Sequence, residues 1–200
     1  MGRRATPEVN AGSMADIAFL LLIFFLVTTT IEKDKGIARQ LPPKQDEQPP
    51  VDIKEKNIFV VTVNKENQIL ADNELMDIQD IRAAAISFLD NGGDGTCSYC
   101  KGEKDLASSD NPEKAIITVK SDRETSYKTY IQVQNELVAA YNFLRDRESE
   151  RLFGFKFTKV KSAIATGDFK GNEERAQTKL KEIQALFPMK LSEAEAKKSQ

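Results

Sequence analysis

Across residues 17–27 no side chain is polar. A run of this kind is apolar all round, so it belongs to a buried or membrane-embedded helix rather than to the surface of a soluble domain. Taken from Met14 to Ile31, the segment MADIAFLLLIFFLVTTTI has 18 residues. At ~1.5 Å per residue it is ~27 Å long, just enough to cross a thin hydrocarbon core. Thr28, Thr29 and Thr30 can return their hydroxyls to backbone carbonyls and so do not interrupt it. We expect a transmembrane helix over residues 14–31. Arg3 and Arg4 precede it, while Glu32, Lys33, Asp34 and Lys35 behind it are mixed in sign. The positive-inside bias then puts residues 1–13 in the cytoplasm and the remainder outside. A cleaved signal peptide is the rival reading, but no A-x-A site follows and an acid sits at the start of the apolar run. Met1-Gly2 also fits the loose N-myristoylation pattern, which is short enough to match by chance.

The acid is Asp16. At a helix centre an Asp costs ~2.5–3.5 kcal/mol on insertion scales, and less near the interface. One reading has it snorkel into headgroups or cap the helix N-terminus. The other has it face partner helices and alternate between protonated and charged forms. Phe19, Leu20, Ile23 and Val27 follow it at helical spacing, which places the carboxylate on an apolar stripe suited to inter-helix packing. Each charge moved through a membrane potential releases ~2.3 kcal/mol per 100 mV. One helix cannot form a conduction path alone, so a polytopic partner is implied. The chain has no histidine, which removes His metal sites and His bases. A net charge of −2 gives no reason to expect nucleic-acid binding. No hydrolytic triad, Walker loop or GxGxxG motif is present, so neither an enzyme nor a bound cofactor is expected.

Residues 32–56 are charged and punctuated by Pro42-Pro43 and Pro49-Pro50, the composition of an extended, semi-rigid tether. Within it, residues 37–41 fit either an edge strand or coil. A folded domain is expected over residues 57–200. Ile58–Val63 is β-branched and aromatic, as in a buried strand, with residues 68–71 as a short return strand. Asp77 is a plausible cap for a helix with Ile78, Ile81, Ala85, Phe88 and Leu89 on its apolar face, and Asn91-Gly92-Gly93 stops it. Residues 115–119 read as a second buried strand. Thr125 or Ser126 then caps a long helix marked by Tyr130, Val133, Leu137, Ala140, Tyr141 and Leu144. Residues 145–187 read as an extended helical connection ending in a helix over 173–187, with a final strand over 189–194. The fold class is thus one N-terminal transmembrane helix plus a small periplasmic α/β (α+β) domain, its helices on one face of a short sheet. Residues 90–113 form a Gly-, Ser- and Asp-rich insert containing Cys97-Ser98-Tyr99-Cys100. Zinc needs four ligands, and a thioredoxin-like pair would open a helix behind a strand. A local Cys97–Cys100 disulfide in an oxidising compartment is therefore favoured, ahead of a redox role or a zinc shared between two chains.

One set of residues has a family likeness. Val9-Asn10, then Met14-Ala15-Asp16-Ile17 with the Leu/Ile/Phe run to Val27, then Leu41-Pro42, resembles the ExbD/TolR family of proton-driven motor subunits. Residues 115–119 with Ser121-Asp122 and Tyr127 resemble its later strand–helix segment, and residues 188–195 resemble the terminal strand and tail of Bacteroidetes-type members. The resemblance implies that Asp16 is the membrane aspartate that gains and loses a proton, and that Leu41-Pro42 is the segment closing the tether. It further implies two copies, identical or not, inside a pentamer of ExbB-like subunits in the bacterial inner membrane. The output is then force passed to TonB, or, in TolR-like members, peptidoglycan binding and envelope constriction. The lack of a recognisable peptidoglycan-binding signature favours the ExbD-like output. A passive bitopic adaptor is the reading of a different class. Gly12-Ser13 stand where many members have Thr-Pro. The insert and residues 145–187 are additional, so periplasmic partner contacts do not carry over.

Overall fold

The computed structural model describes residues 11–28 and 53–195. The expected tail through Asn10, the Thr29–Ile31 end of the span, and the tether up to residue 52 with Leu41 and Pro42 lie outside the described residues. The chain divides into two compact units, Met1–Ala38 and Arg39–Gln200.

In the first unit, α1 covers Ala11–Thr28. It begins three residues before the expected Met14. Its apolar part, residues 14–27, is ~21 Å long at ~1.5 Å per residue, and among the described residues no helix is long and apolar enough to cross a membrane. Thr28 Oγ1 donates to the Phe24 carbonyl at 2.7 Å, the return bond expected of a threonine in an apolar helix.

The second unit is a small α/β domain. Its sheet has five strands: β1 (Ile58–Val63), β2 (Ile69–Ala71), β3 (Glu74–Met76), β4 (Ile116–Ser121) and β5 (Leu191–Glu195), in the order β3-β2-β1-β4-β5. β1 pairs antiparallel with β2 and parallel with β4, and β5 extends the parallel side. β1 alternates half-buried and buried residues along its whole length, so Phe59, Val61 and Val63 face the core. There they meet α2 (Ile78–Leu89) and α3 (Tyr127–Phe153) through Ile81, Leu89, Leu137 and Tyr141, all fully buried. Phe59 stacks on Phe88 at 5.3 Å. The opposite face of β1, Ile58, Val60 and Thr62, is only half covered.

Three features depart from the expectation. β3 is an added strand: Asp72 and Asn73 have φ of 48° and 71°, the positive pair that closes a two-residue hairpin of type I′. α3 does not stop near Leu144 but continues to Phe153, where Gly154 ends it at φ 73°. The connection over 145–187 is accordingly the last part of α3, then α4 (Phe157–Thr166) and α5 (Glu173–Leu186). α5 is capped by Asn172, which accepts from the Arg175 amide at 2.9 Å. α4 and α5 enclose a second small core of Phe157, Leu180 and Ile183.

Candidate functional site

α1 carries one titratable side chain in its described length, Asp16. Because the helix begins at Ala11, Asp16 lies more than a turn inside it and is not a capping residue. Leu20 and Ile23 stand one and two turns along the same face and are exposed, 58 % and 42 %. Val27 is the next-to-last residue of α1. Among the described residues of this unit nothing covers the face that Asp16 shares with Leu20 and Ile23.

The insert is held by polar bonds and by Tyr99, which packs against the main core with its ring 5.4 Å from that of Phe187. Asn91, which the sequence suggests only as part of a helix stop, is its hub. The Asn91 Nδ2 donates to the carbonyls of Asp105 and Ser109, both at 2.8 Å, and its Oδ1 accepts from the Asp105 amide at 2.9 Å. At Gly93 a Cβ would sit 2.4 Å from the Asp105 carbonyl oxygen, so the close approach demands glycine. Cys97 and Cys100 are joined as a disulfide, their Cα atoms 5.5 Å apart. Arg147 of α3 clamps the insert from the helix side, reaching both Asp90 oxygens at 2.5 and 2.8 Å and the Tyr99 carbonyl at 3.2 Å. Burial pushes the Tyr99 hydroxyl up to about 12, and that hydroxyl donates to the Leu186 carbonyl at 2.8 Å. At the other end, the Asp110 carboxylate accepts from Lys56 Nζ at 2.5 Å and from Asn57 Nδ2 at 3.3 Å. The Lys56 bond, above all, holds the Asp110 carboxyl below its usual range. Asp94 is likewise held low, chiefly by the Thr96 hydroxyl and amide, with Lys114 at 3.0 Å adding to it. Among the described residues no group of three or more His, Cys, Asp or Glu is placed to hold a metal.

A cleft of about 530 Å³ opens where the carboxyl ends of β4 and β5 meet the first turn of α3, lined by Asp122, Tyr127, Tyr130 and Glu193 among others. Tyr130 Oη donates to Glu193 Oε1, and Gln134 Nε2 donates to the same oxygen at 3.3 Å. The turn beneath it is locked by Thr125 Oγ1 on the Val63 and Asn64 carbonyls, both at 3.1 Å. Alternation in the sequence points to none of these polar contacts, since each joins residues far apart in the chain.

The pattern of the family described as biopolymer transport protein ExbD/TolR matches residues 3–144. The chain belongs to this family. Within the ExbD/TolR family, the biopolymer transport protein exbD2 of Vibrio cholerae serotype O1 is 30 % identical over 87 residues. That match covers 42 % of this chain and 62 % of the relative, so the chain spans less than two thirds of the relative's length. The family match takes in α1, the sheet through β4, the insert and the first two-thirds of α3. It stops at Leu144, one residue before the buried Arg145, and leaves α4, α5 and β5 beyond it. The chain is therefore a member of the ExbD/TolR family in which α4, α5 and β5 lie beyond the matched residues.

Proposed function

We propose that the chain is the ExbD-like subunit of a motor driven by the proton-motive force. In this reading α1, completed by residues 29–31, crosses the bacterial inner membrane once with its N-terminus in the cytoplasm, and the α/β domain lies in the periplasm. Asp16 carries the proton. Two copies of α1 sit within a pentamer of ExbB-like subunits, their Leu20, Ile23 and Val27 rows against the partner helices. Protonation of one Asp16 and release from the other turn the partners relative to each other, and the Leu41-Pro42 segment and tether pass that motion to the domain and on to TonB. The observation that carries the reading is the single carboxylate placed inside α1, with no polar side chain behind it through Val27. A carboxylate with no functional task there would cost insertion energy for no return. Family membership supports the same assignment.

The test is Asp16→Asn, which keeps shape and polarity but cannot shuttle a proton. The variant is expected to accumulate normally, to co-purify with the pentamer and to lose energised uptake altogether. Full uptake by the variant would end the proton-carrier assignment. The TolR-like output is told apart by a pull-down with isolated peptidoglycan: retention of the domain on the cell wall would favour envelope constriction. A passive adaptor would tolerate Asp16→Asn and bring no polytopic partner through purification.

A further inference from the structure

The helical extension beyond the family match carries a surface that proton coupling does not use. α3 turns into α4 through Leu152-Phe153-Gly154-Phe155-Lys156-Phe157. Phe157 is swallowed by the small second core. Leu152, by contrast, is 45 % exposed, and Phe153 and Phe155 are half-buried, their rings stacked 5.8 Å apart. Lys179 of α5 sets its ammonium 4.9 Å from the Phe153 ring centre and 5.8 Å from that of Phe155. Lys156 and Lys159 stand exposed beside them. Residues 151–170 hold five Lys or Arg and one acid, Asp168, in a chain whose net charge is −2. Arg151 is bonded to Glu148 at 2.6 Å and Lys156 faces Glu150 at 3.9 Å. Lys159 has no carboxylate partner among the described residues.

We infer that this corner docks on the anionic phospholipid headgroups of the bilayer that holds α1. Aromatic rings with ammonium groups over them are the chemistry of the headgroup layer: the rings and Leu152 enter its apolar margin, and the lysine stems lie along them with their charges at the phosphates. A purely polar anionic polymer would satisfy the lysines but offer nothing to Leu152 and the two phenyl rings. Residues 32–52, behind the proposed span, number 21 and extend at most ~69 Å at ~3.3 Å each, ample for the domain to return to the membrane. The inference rests on the placement of α1 in a membrane and is independent of proton coupling.

The chain has no tryptophan, so Leu152→Trp introduces a unique reporter. The full chain is placed in lipid nanodiscs containing brominated phospholipids, with Phe143→Trp as a control on a 55 % exposed position of α3. The Leu152→Trp fluorescence is expected to be quenched in discs rich in phosphatidylglycerol and only weakly in pure phosphatidylcholine discs, with the Phe143→Trp control unquenched in both. High salt should relieve the quenching. Each of K156Q and K159Q should lower the docked-to-free ratio about five-fold, as befits the loss of one basic group at an anionic surface. Equal quenching in both lipids, or none in the anionic discs while the chain still co-elutes with them, would overturn the inference. So would retention on isolated cell-wall sacculi that depends on the same lysines. A chain that does not stay with the discs would overturn the anchor itself.

Discussion

Arg147 joins the insert to α3 by a geometry that its charge alone does not provide. Its planar fork takes both oxygens of Asp90 while its Nε takes Glu148 at 3.0 Å, and the two carboxylates are 7 % and 0 % exposed. Removing the guanidinium leaves both acids desolvated with less compensation, so Arg147→Ala is expected to cost about 3 kcal/mol in urea unfolding, the lower end for a broken buried pair. Arg147→Lys restores the charge but not the fork and should recover only part of that loss. A smaller loss for Ala than for Lys would contradict the bidentate role. Asp110 and Asp94 add a pH dependence of defined sign. Their carboxyls are held low in the folded chain, against ~3.9 when unfolded. The stability they contribute is therefore complete above that unfolded value and is lost as pH falls through the folded one. Asp110→Asn should accordingly flatten the acid limb of a stability–pH curve. The difference from wild type should be largest at neutral pH and shrink toward zero in strong acid. A constant offset at all pH values would show that the Lys56–Asp110 pair is not its source.

The elements divide sharply by how their contacts are made. β1, β4, α2 and the first part of α3 follow hydrophobic alternation or helical spacing, and the sequence places them to within a residue or two. α3 beyond Leu144 escaped that reading because its buried face there is Arg145, Glu148 and Ser149, polar residues where apolar spacing would have continued. α4 is short and interleaved with lysines. β3 rests on the positive φ of Asp72 and Asn73, a turn signal with no apolar strand of any length behind it. α4 and α5 depend on one side chain. Phe157 is fully buried among Leu180, Ile183 and the flanking Val160 and Ile164, and Arg145 lies 5.5 Å from its ring centre. Phe157→Ala is expected to remove about 3–5 kcal/mol of local packing, more than so small a core can spare. Hydrogen exchange should then show α4 and α5 opening while β1, β4 and α2 keep their protection. Loss of protection in the sheet as well would mean that the two cores unfold together. The disulfide is a smaller restraint: it closes a loop of only four residues, so replacing Cys97 and Cys100 by serine should cost no more than about 2 kcal/mol.

Across the whole molecule the informative asymmetry is between the two units and the segment that joins them. Asp16 was legible because one carboxylate in an apolar run is anomalous in any sequence, and its interior place in α1 sharpened it by removing the capping role. The domain's own polar sites were not legible, because they are assembled from pairs such as Asn57 with Asp110 and Tyr130 with Glu193, far apart in the chain and without period. On the proposed reading neither unit alone gives an output: the proton carrier and its helix contacts belong to the first unit, and the surfaces that pass on force belong to the second. Coupling on that reading depends on the length and stiffness of residues 32–52. Deleting residues 42–52 removes 11 of these 21 and cuts the maximum reach from ~69 Å to ~33 Å at ~3.3 Å per residue. It touches neither α1 nor any described contact of the domain, so the pentamer should still co-purify and the domain should still fold. Energised uptake should be lost. A Gly/Ser segment of the original length separates the two properties, since it restores reach without the proline stiffness. Recovery of uptake would assign the tether a role in reach, and continued loss would assign it a role in carrying force. Unchanged uptake after the deletion itself would mean that force does not pass through this segment at all.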